Sequence, residues 1–191
     1  MCNKLFKKVM KKIMMTLVAV LATVSMNAQN DMYIGGTVNY QSKTTVDKSL
    51  TIAPEFGVKL NDQWGIGAVL SYKNTKEFNG DKKNAFSIRP YARYNALNIG
   101  KVNVFVDGGV YFTNNKTELA AGGDIKSNAY GVFVTPGIAY NLTDKFSIVA
   151  HANPVFNLDF VSPDGGDTQT NINLLQEFKV TTFSFGFYYN F

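Results

Sequence analysis

From about residue 31 to the last residue, apolar side chains recur at every second position, and this one periodicity confines the chain to extended strands with two unlike faces. The segment "LTIAPEFGVKL" shows it plainly: Leu50, Ile52, Pro54, Phe56, Val58 and Leu60 fall on one face, and Thr51, Ala53, Glu55, Gly57 and Lys59 on the other. No stretch keeps a 3.6-residue period over three turns, which removes helical bundles and α/β folds. Eight runs of this kind can be counted, beginning near Met32, Leu50, Trp64, Phe86, Val104, Tyr130, Phe146 and Phe178. The chain closes on "FSFGFYYNF", where Phe183, Phe185, Phe187, Tyr189 and Phe191 share one face.

The connections between the runs alternate in length. Residues 42–49, 74–84, 114–126 and 157–177 read as long, polar loops, whereas short turns are centred near Asn61, Asn98 and Thr143. That asymmetry predicts an up-and-down antiparallel arrangement with all long loops at one end. Pro54, Pro90 and Pro136 each precede a short turn by about six residues and form a weak internal repeat. Proline cannot donate to a strand ladder, so bulges are expected at these three positions.

The amino terminus is different in kind. Lys4, Lys7, Lys8, Lys11 and Lys12 precede an apolar run from Ile13 to Val24, followed by small and polar residues. This is the layout of a secretory signal peptide, and the run is too short for a comfortable membrane-spanning helix. Cleavage is expected between Ala28 and Gln29, leaving residues 29–191 as a single mature domain. The five leader lysines account for the net charge of +5, and without them 14 basic residues face 14 acidic ones. Nucleic-acid binding therefore loses its main support. Cys2, the sole cysteine, leaves with the leader, so disulfides, zinc-thiolate sites and cysteine nucleophiles are excluded from the mature chain.

Which face meets water is decided by volume and by height along the strands. An eight-stranded barrel encloses a space only just wide enough for side chains, so the bulky apolar face must point outward and the small, polar face inward. Outward rings also gather at two levels: Trp64, Tyr94, Tyr140, Phe146 and Phe191 near the short turns, and Tyr40, Tyr72, Phe86, Phe112 and Tyr130 near the long loops. Mostly Ile, Val, Leu, Ala and Gly lie between them. Two girdles about an aliphatic band suit a lipid bilayer. The predicted fold is all-β: an eight-stranded, antiparallel, up-and-down transmembrane β-barrel with both termini in the periplasm.

The leader, the alternating strands, the segments "PEFGVKLNDQWGIGAVLSY" and "IRPYARYN", and the terminal "GFYYNF" resemble the small outer-membrane β-barrel family of OmpA-type transmembrane domains and OmpW-like porins. The resemblance covers essentially the whole mature chain and implies an integral protein of a Gram-negative outer membrane. It further implies that the last strand, with Gly186, Tyr189 and terminal Phe191, is the signal read by the barrel-assembly machinery. Phe185 departs from the pattern, standing where a polar residue often precedes that glycine. The chain ends at the barrel, so cell-wall tethering by a further domain is not carried over.

The inward face holds the candidate chemistry. If the "LNIGK" turn centres near Ile99, Tyr91 faces Asp107 across the ladder, and Asp107 lies diagonally between Arg89 and Arg93. Val69 then separates Arg89 from Glu55 across the intervening strand. Glu55, Arg89, Arg93 and Asp107 are predicted to form a lumen cluster balanced two against two, because isolated charges in a narrow interior are costly. A structural plug is the favoured role and a gated small-ion pathway the alternative. Inward Tyr91, Phe105, Tyr111, Phe133 and Tyr188 argue for a filled lumen. His151, the only histidine, is expected to point inward; a lipid-modifying enzyme built on it is a remote third reading, without a nearby serine in sequence. Asp164 and Asp167 flank two glycines in the fourth loop, which also carries Asp159 and Glu177; a solvated turn is favoured there over a calcium site. No catalytic residues, metal or cofactor are expected. The expected partners are outer-membrane lipid, the barrel-assembly machinery and extracellular ligands at the long loops, with no nucleic acid. The expected role is structural or surface-interacting, with at most slow passage of small solutes.

Overall fold

The computed structural model describes residues 32–42, 48–164, 167–174 and 184–191. The expected leader, its cleavage point at Ala28 and Gln29, and residues 178–183 of the predicted last strand lie outside these. Ten ladder segments follow in chain order: β1 (Met32–Ser42), β2 (Lys48–Lys59), β3 (Trp64–Lys76), β4 (Lys82–Ile99), β5 (Val102–Glu118), β6 (Asp124–Asn141), β7 (Phe146–His151), β8 (Phe156–Pro163), β9 (Gln169–Leu174) and β10 (Ser184–Asn190). All pairings are antiparallel. β1 to β6 form a meander, β7 and β8 both pair with β6, and β10 pairs with β7 and with β1. The result is a closed barrel of eight staves, the seventh made of β7 and β8 and the eighth of β9 and β10. Closure runs through the pairing of Tyr33–Thr37 on β1 with Gly186–Asn190 on β10, and satisfies the backbone there as a sheet in hydrocarbon requires; among the described residues β9 pairs with β8 alone and the upper part of β1 with β2 alone.

The faces are disposed as the alternation predicts. Ile34, Ile52, Leu70, Val110, Ile138, Ile148 and Phe187 are exposed on the outside, and the buried cluster inside comprises Tyr33, Phe105, Ala139, Val149 and Tyr188. At the short-turn end the outward rings pack on one another, Trp64 on Tyr94 with centroids 5.0 Å apart and Tyr189 between Phe146 and Phe191 at 5.1 Å from each. Tyr40, Tyr72 and Phe86 stand exposed at the other end.

Three short turns hold the lower rim. The Asn61 side-chain oxygen accepts from the amides of Gln63 and Trp64 at 2.9 and 2.8 Å, and the Thr143 hydroxyl accepts from those of Lys145 and Phe146 at 3.3 and 3.0 Å. These side chains replace backbone partners that a tight reversal leaves unmatched. The β4–β5 turn uses Gly100 at φ +59°, a left-handed position that disfavours other residues.

Two expectations about the staves are corrected. The stretches 74–84 and 114–126 are not long loops: the ladders continue to Lys76–Lys82 and Glu118–Asp124, leaving five-residue tips at 77–81 and 119–123. Residues polar on both faces give a loop-like pattern in sequence, but strands that rise beyond the apolar band can be polar on both sides. For the same reason 157–177 contains β8 and β9. The tips touch, the Ala120 amide donating to Asp81 Oδ1 at 2.7 Å.

The seventh stave is also interrupted. β7 and β8 meet β6 in registers two residues apart, and residues 152–155 take up the excess, with Ala152 N donating to Pro136 O at 3.0 Å and Val155 N to Val134 O at 2.8 Å. Of the three prolines expected at bulges, Pro136 lies opposite this one. Past Pro54 and past Pro90 the register of the neighbouring ladders runs on unchanged.

Candidate functional site

The lower half of the lumen is closed by a layer of side chains centred on Arg93. This residue stands directly opposite Asp107 across the β4–β5 ladder. Its guanidinium grips that carboxylate with two hydrogen bonds, Nε to Oδ1 at 2.7 Å and Nη2 to Oδ2 at 2.8 Å. Such a fork-to-fork pair fixes both partners in direction as well as distance. Nη2 also donates to Glu55 Oε1 and to the Tyr188 hydroxyl, both at 3.0 Å. Tyr188 donates to Glu55 Oε1 at 2.8 Å, Tyr91 donates to the same oxygen, and the Tyr33 and Tyr91 hydroxyls lie 2.6 Å apart. The Phe105 ring covers the guanidinium at 3.8 Å from Cζ to its centroid.

The barrel admits this layer because glycine stands beside each ring. Gly65 and Gly67 on β3 lie opposite Arg93 and Tyr91, so both side chains can lean across β3 toward Glu55 on β2. A Cβ on Gly67 would overlap the Tyr91 hydroxyl, one on Gly57 the Tyr33 ring, one on Gly35 the Tyr188 ring and one on Gly137 the Phe105 ring. Small residues on the inner face thus set where the large ones go. The charged members are almost sealed: Glu55 is 3 %, Arg93 6 % and Asp107 4 % exposed. Removing one member of a buried ionic group strands the others, so the cluster is strongly interdependent.

Open space lies on both sides of the layer. Toward the long hairpins is a cavity of about 550 Å³, lined by Thr51, Ser71, Arg89 and Thr135 among others. Toward the short turns are spaces of about 110 Å³, against Arg93 and Phe105, and about 240 Å³, among Asn61, Asn95 and Asn141. Two buried side-chain oxygens without hydrogen-bond partners among the described residues border these spaces, Thr135 Oγ1 above and Asn103 Oδ1 below.

A closed antiparallel barrel with bulky residues outside and an ionic layer inside narrows the choice of family. Residues 14–191 match the outer membrane protein beta-barrel domain. The chain belongs to that family. Among solved structures, the barrel is similar to Neisserial surface protein A at a TM-score of 0.52 and 15% identity, over 84% of this chain and 95% of that one. It is likewise similar to the outer membrane protein OprG from Pseudomonas aeruginosa at a TM-score of 0.51 and 14% identity, over 86% and 97% of the respective chains. At such identities these structures share the fold. No curated protein matches the sequence. This outer-membrane barrel therefore has its location from family and fold, and its individual character from the lumen.

Of the four residues expected to cluster, the structure joins three. Glu55, Arg93 and Asp107 meet, whereas Arg89 forms no ion pair or hydrogen bond among the described residues and lies instead over the Phe133 ring, 4.2 Å from Cζ to centroid. The row from Glu55 through Val69 to Arg89 is as expected. The β4–β5 register is not: Tyr91 faces Gly109, and Asp107 faces Arg93 instead of lying between two arginines. The turn centres between Gly100 and Lys101 rather than at Ile99, and an extra residue at Ala96 shifts the ladder between Asn95 and Leu97. A bulge has no hydrophobic-pattern signal strong enough to locate it in advance.

His151 points inward and joins the layer, its Nε2 3.5 Å from Asp107 Oδ2, 3.5 Å from Arg93 Nη2 and 3.3 Å from the Tyr188 hydroxyl. Ser184 stands opposite it in the β7–β10 ladder, but no hydrogen bond joins the two side chains. Glu55, Asp107 and His151 bring potential metal-ligating atoms within 4.8 Å of one another. The Arg93 guanidinium already supplies the positive charge at that point. Tyr33 and the glycines were the residues missed by sequence reasoning. Their signal was the small-to-large alternation between neighbouring strands, readable only with the register known.

Proposed function

We propose that this outer-membrane barrel acts as a closed structural and surface-interaction barrel that passes small solutes at most slowly. One observation carries the proposal: a sealed layer spans the lumen, with the Arg93 guanidinium bonded at once to Glu55, Asp107 and Tyr188 and capped by Phe105. Purified protein in planar bilayers should give no discrete conductance steps, and regular steps from the wild type would overturn the reading. His151 serves the layer in this scheme. An unchanged lipid-acyl profile on expressing wild type or His151→Ala would agree with that role.

A gated small-solute channel is the second reading, supported by cavities above and below a layer only one set of side chains thick. It requires steps in the wild type that grow on Glu55→Gln or Arg89→Gln. Export through the lysine-rich leader with cleavage between Ala28 and Gln29 completes the proposal, as does recognition of Gly186, Tyr189 and Phe191 by the assembly machinery. The mass of the protein isolated from outer membranes checks the first. Reduced heat-modifiable barrel in membranes on deleting Phe191 checks the second.

A further inference from the structure

The outer face at the long-hairpin end carries a row of cations that none of the described residues neutralises. In the ladders, Lys48 on β2 lies directly opposite Lys76 on β3, and Lys76 directly opposite Lys82 on β4. Directly opposed residues on neighbouring strands have Cα atoms about 4.5–5.5 Å apart, and like charges so placed destabilise the sheet. All three are exposed, and none forms an ion pair or hydrogen bond among the described residues. The next residue in the row, Glu118 opposite Lys82, is held elsewhere: Lys116 Nζ lies 2.8 Å from Glu118 and 3.0 Å from Asp124. The acids of the neighbouring hairpin are thus already matched.

What lies below the row indicates what neutralises it. Descending the outer face of β3 and β4, Lys76 and Lys82 are followed by Asn74 and Asn84, hydrogen-bonded to each other at 2.7 Å, then by Tyr72 and Phe86, then by Leu70 and Ile88. The Tyr72 hydroxyl donates up to Asn84 Oδ1 at 2.9 Å, tying the ring layer to the amide layer. The four steps from Tyr72 to Lys76 span about 13 Å of strand. Aliphatic, aromatic, amide and ammonium layers in that order match the acyl chain, interface and charged headgroup of a lipid leaflet.

We propose that Lys48, Lys76 and Lys82 form a binding site for the phosphate-bearing headgroup of an anionic lipid in the leaflet at the long-hairpin end. The phosphate bridges lysines that would otherwise repel, and the acyl chains lie down the β2–β4 wall against Leu50, Ile52, Tyr72 and Phe86. The site is independent of whether the lumen conducts. It uses the outward face alone, so failure of the closed-barrel proposal would leave it standing.

The test reconstitutes the full barrel in phosphatidylcholine vesicles containing lipid A with or without its phosphates, then counts lipid A retained per barrel by native mass spectrometry after mild detergent extraction. Wild type should retain the phosphorylated form over the dephosphorylated one. K48Q/K76Q/K82Q should retain about 10-fold less or lower still, on the scale of polybasic attraction to anionic lipid. K59Q/K101Q/K145Q, an equal charge change at the short-turn end, should retain it like wild type. K76Q alone, the central lysine, should fall between and serves if the triple variant does not show heat-modifiable migration. Excess inorganic phosphate or polyglutamate should not displace the lipid. Equal retention by wild type and K48Q/K76Q/K82Q would overturn the proposal. So would equal loss in the short-turn control, equal retention of dephosphorylated lipid, or displacement by free phosphate or acidic peptide.

Discussion

Arg89 and Arg93 sit four residues apart on the same face of the same strand, yet they live in different chemistry. Arg93 makes four hydrogen bonds to two carboxylates and a tyrosine and is covered by an aromatic ring. Arg89 has the face of Phe133 and an open cavity. Their sequence contexts, "IRP" and "ARY", do not distinguish them. The neighbours do: Arg93 faces Gly65 on one side and Asp107 on the other, while Arg89 faces Val69. Glycine lets a long side chain cross to the next strand but one, and valine does not. One arginine is built into a wall and the other lines a chamber.

That contrast can be broken most severely at Arg93. Arg93→Met leaves two buried carboxylates without a counter-charge and should cost about 3–5 kcal/mol of stability, read from the urea midpoint of folding in lipid vesicles. It should also open the layer, producing conductance steps absent from the wild type. The next largest effect is expected from the space that admits the layer. Gly67→Val drives a side chain into Tyr91 and should cost about 1–3 kcal/mol by overpacking, in the same titration. Loss of the Tyr91 bond to Glu55 would accompany it.

Arg89→Gln should do much less. It removes a ring contact worth about 0.5–2 kcal/mol and strands no partner. A loss equal to that of Arg93→Met would show that the two arginines form one functional cluster after all. The smallest change is expected at Asp81→Ala, which cuts the tie between two hairpin tips and a local bond from Asn79, and should stay within about 1 kcal/mol because both hydrogen bonds are exposed. Faster proteolysis between residues 77 and 81 would be its clearest readout.

The legible and illegible parts of the site divide along the same line. Glu55, Arg93 and Asp107 could be placed inward from alternation alone, since period two assigns every residue of a strand to a face. Their mutual contacts depended on register, and the turn at Gly100 and Lys101 together with the extra residue at Ala96 turned a diagonal neighbour into a direct one. The hairpin extensions beyond Lys73 and Phe112 were hidden for a related reason. Alternation fades where a strand leaves the apolar medium, because neither face then needs to be hydrophobic.

The sequence by itself determined the strand class, the number of staves, the inside-out distribution of bulk and the two aromatic levels. Each of these follows from a local rule applied to consecutive residues. Only the tertiary structure decided that Glu55 is shared by Arg93, Tyr91 and Tyr188, that His151 belongs to the same layer, and that Arg89 does not. It also decided that three lysines from three strands stand side by side. Those facts depend on shear and register around a closed sheet. A shift of one pair moves every cross-strand neighbour while leaving each strand's own pattern unchanged.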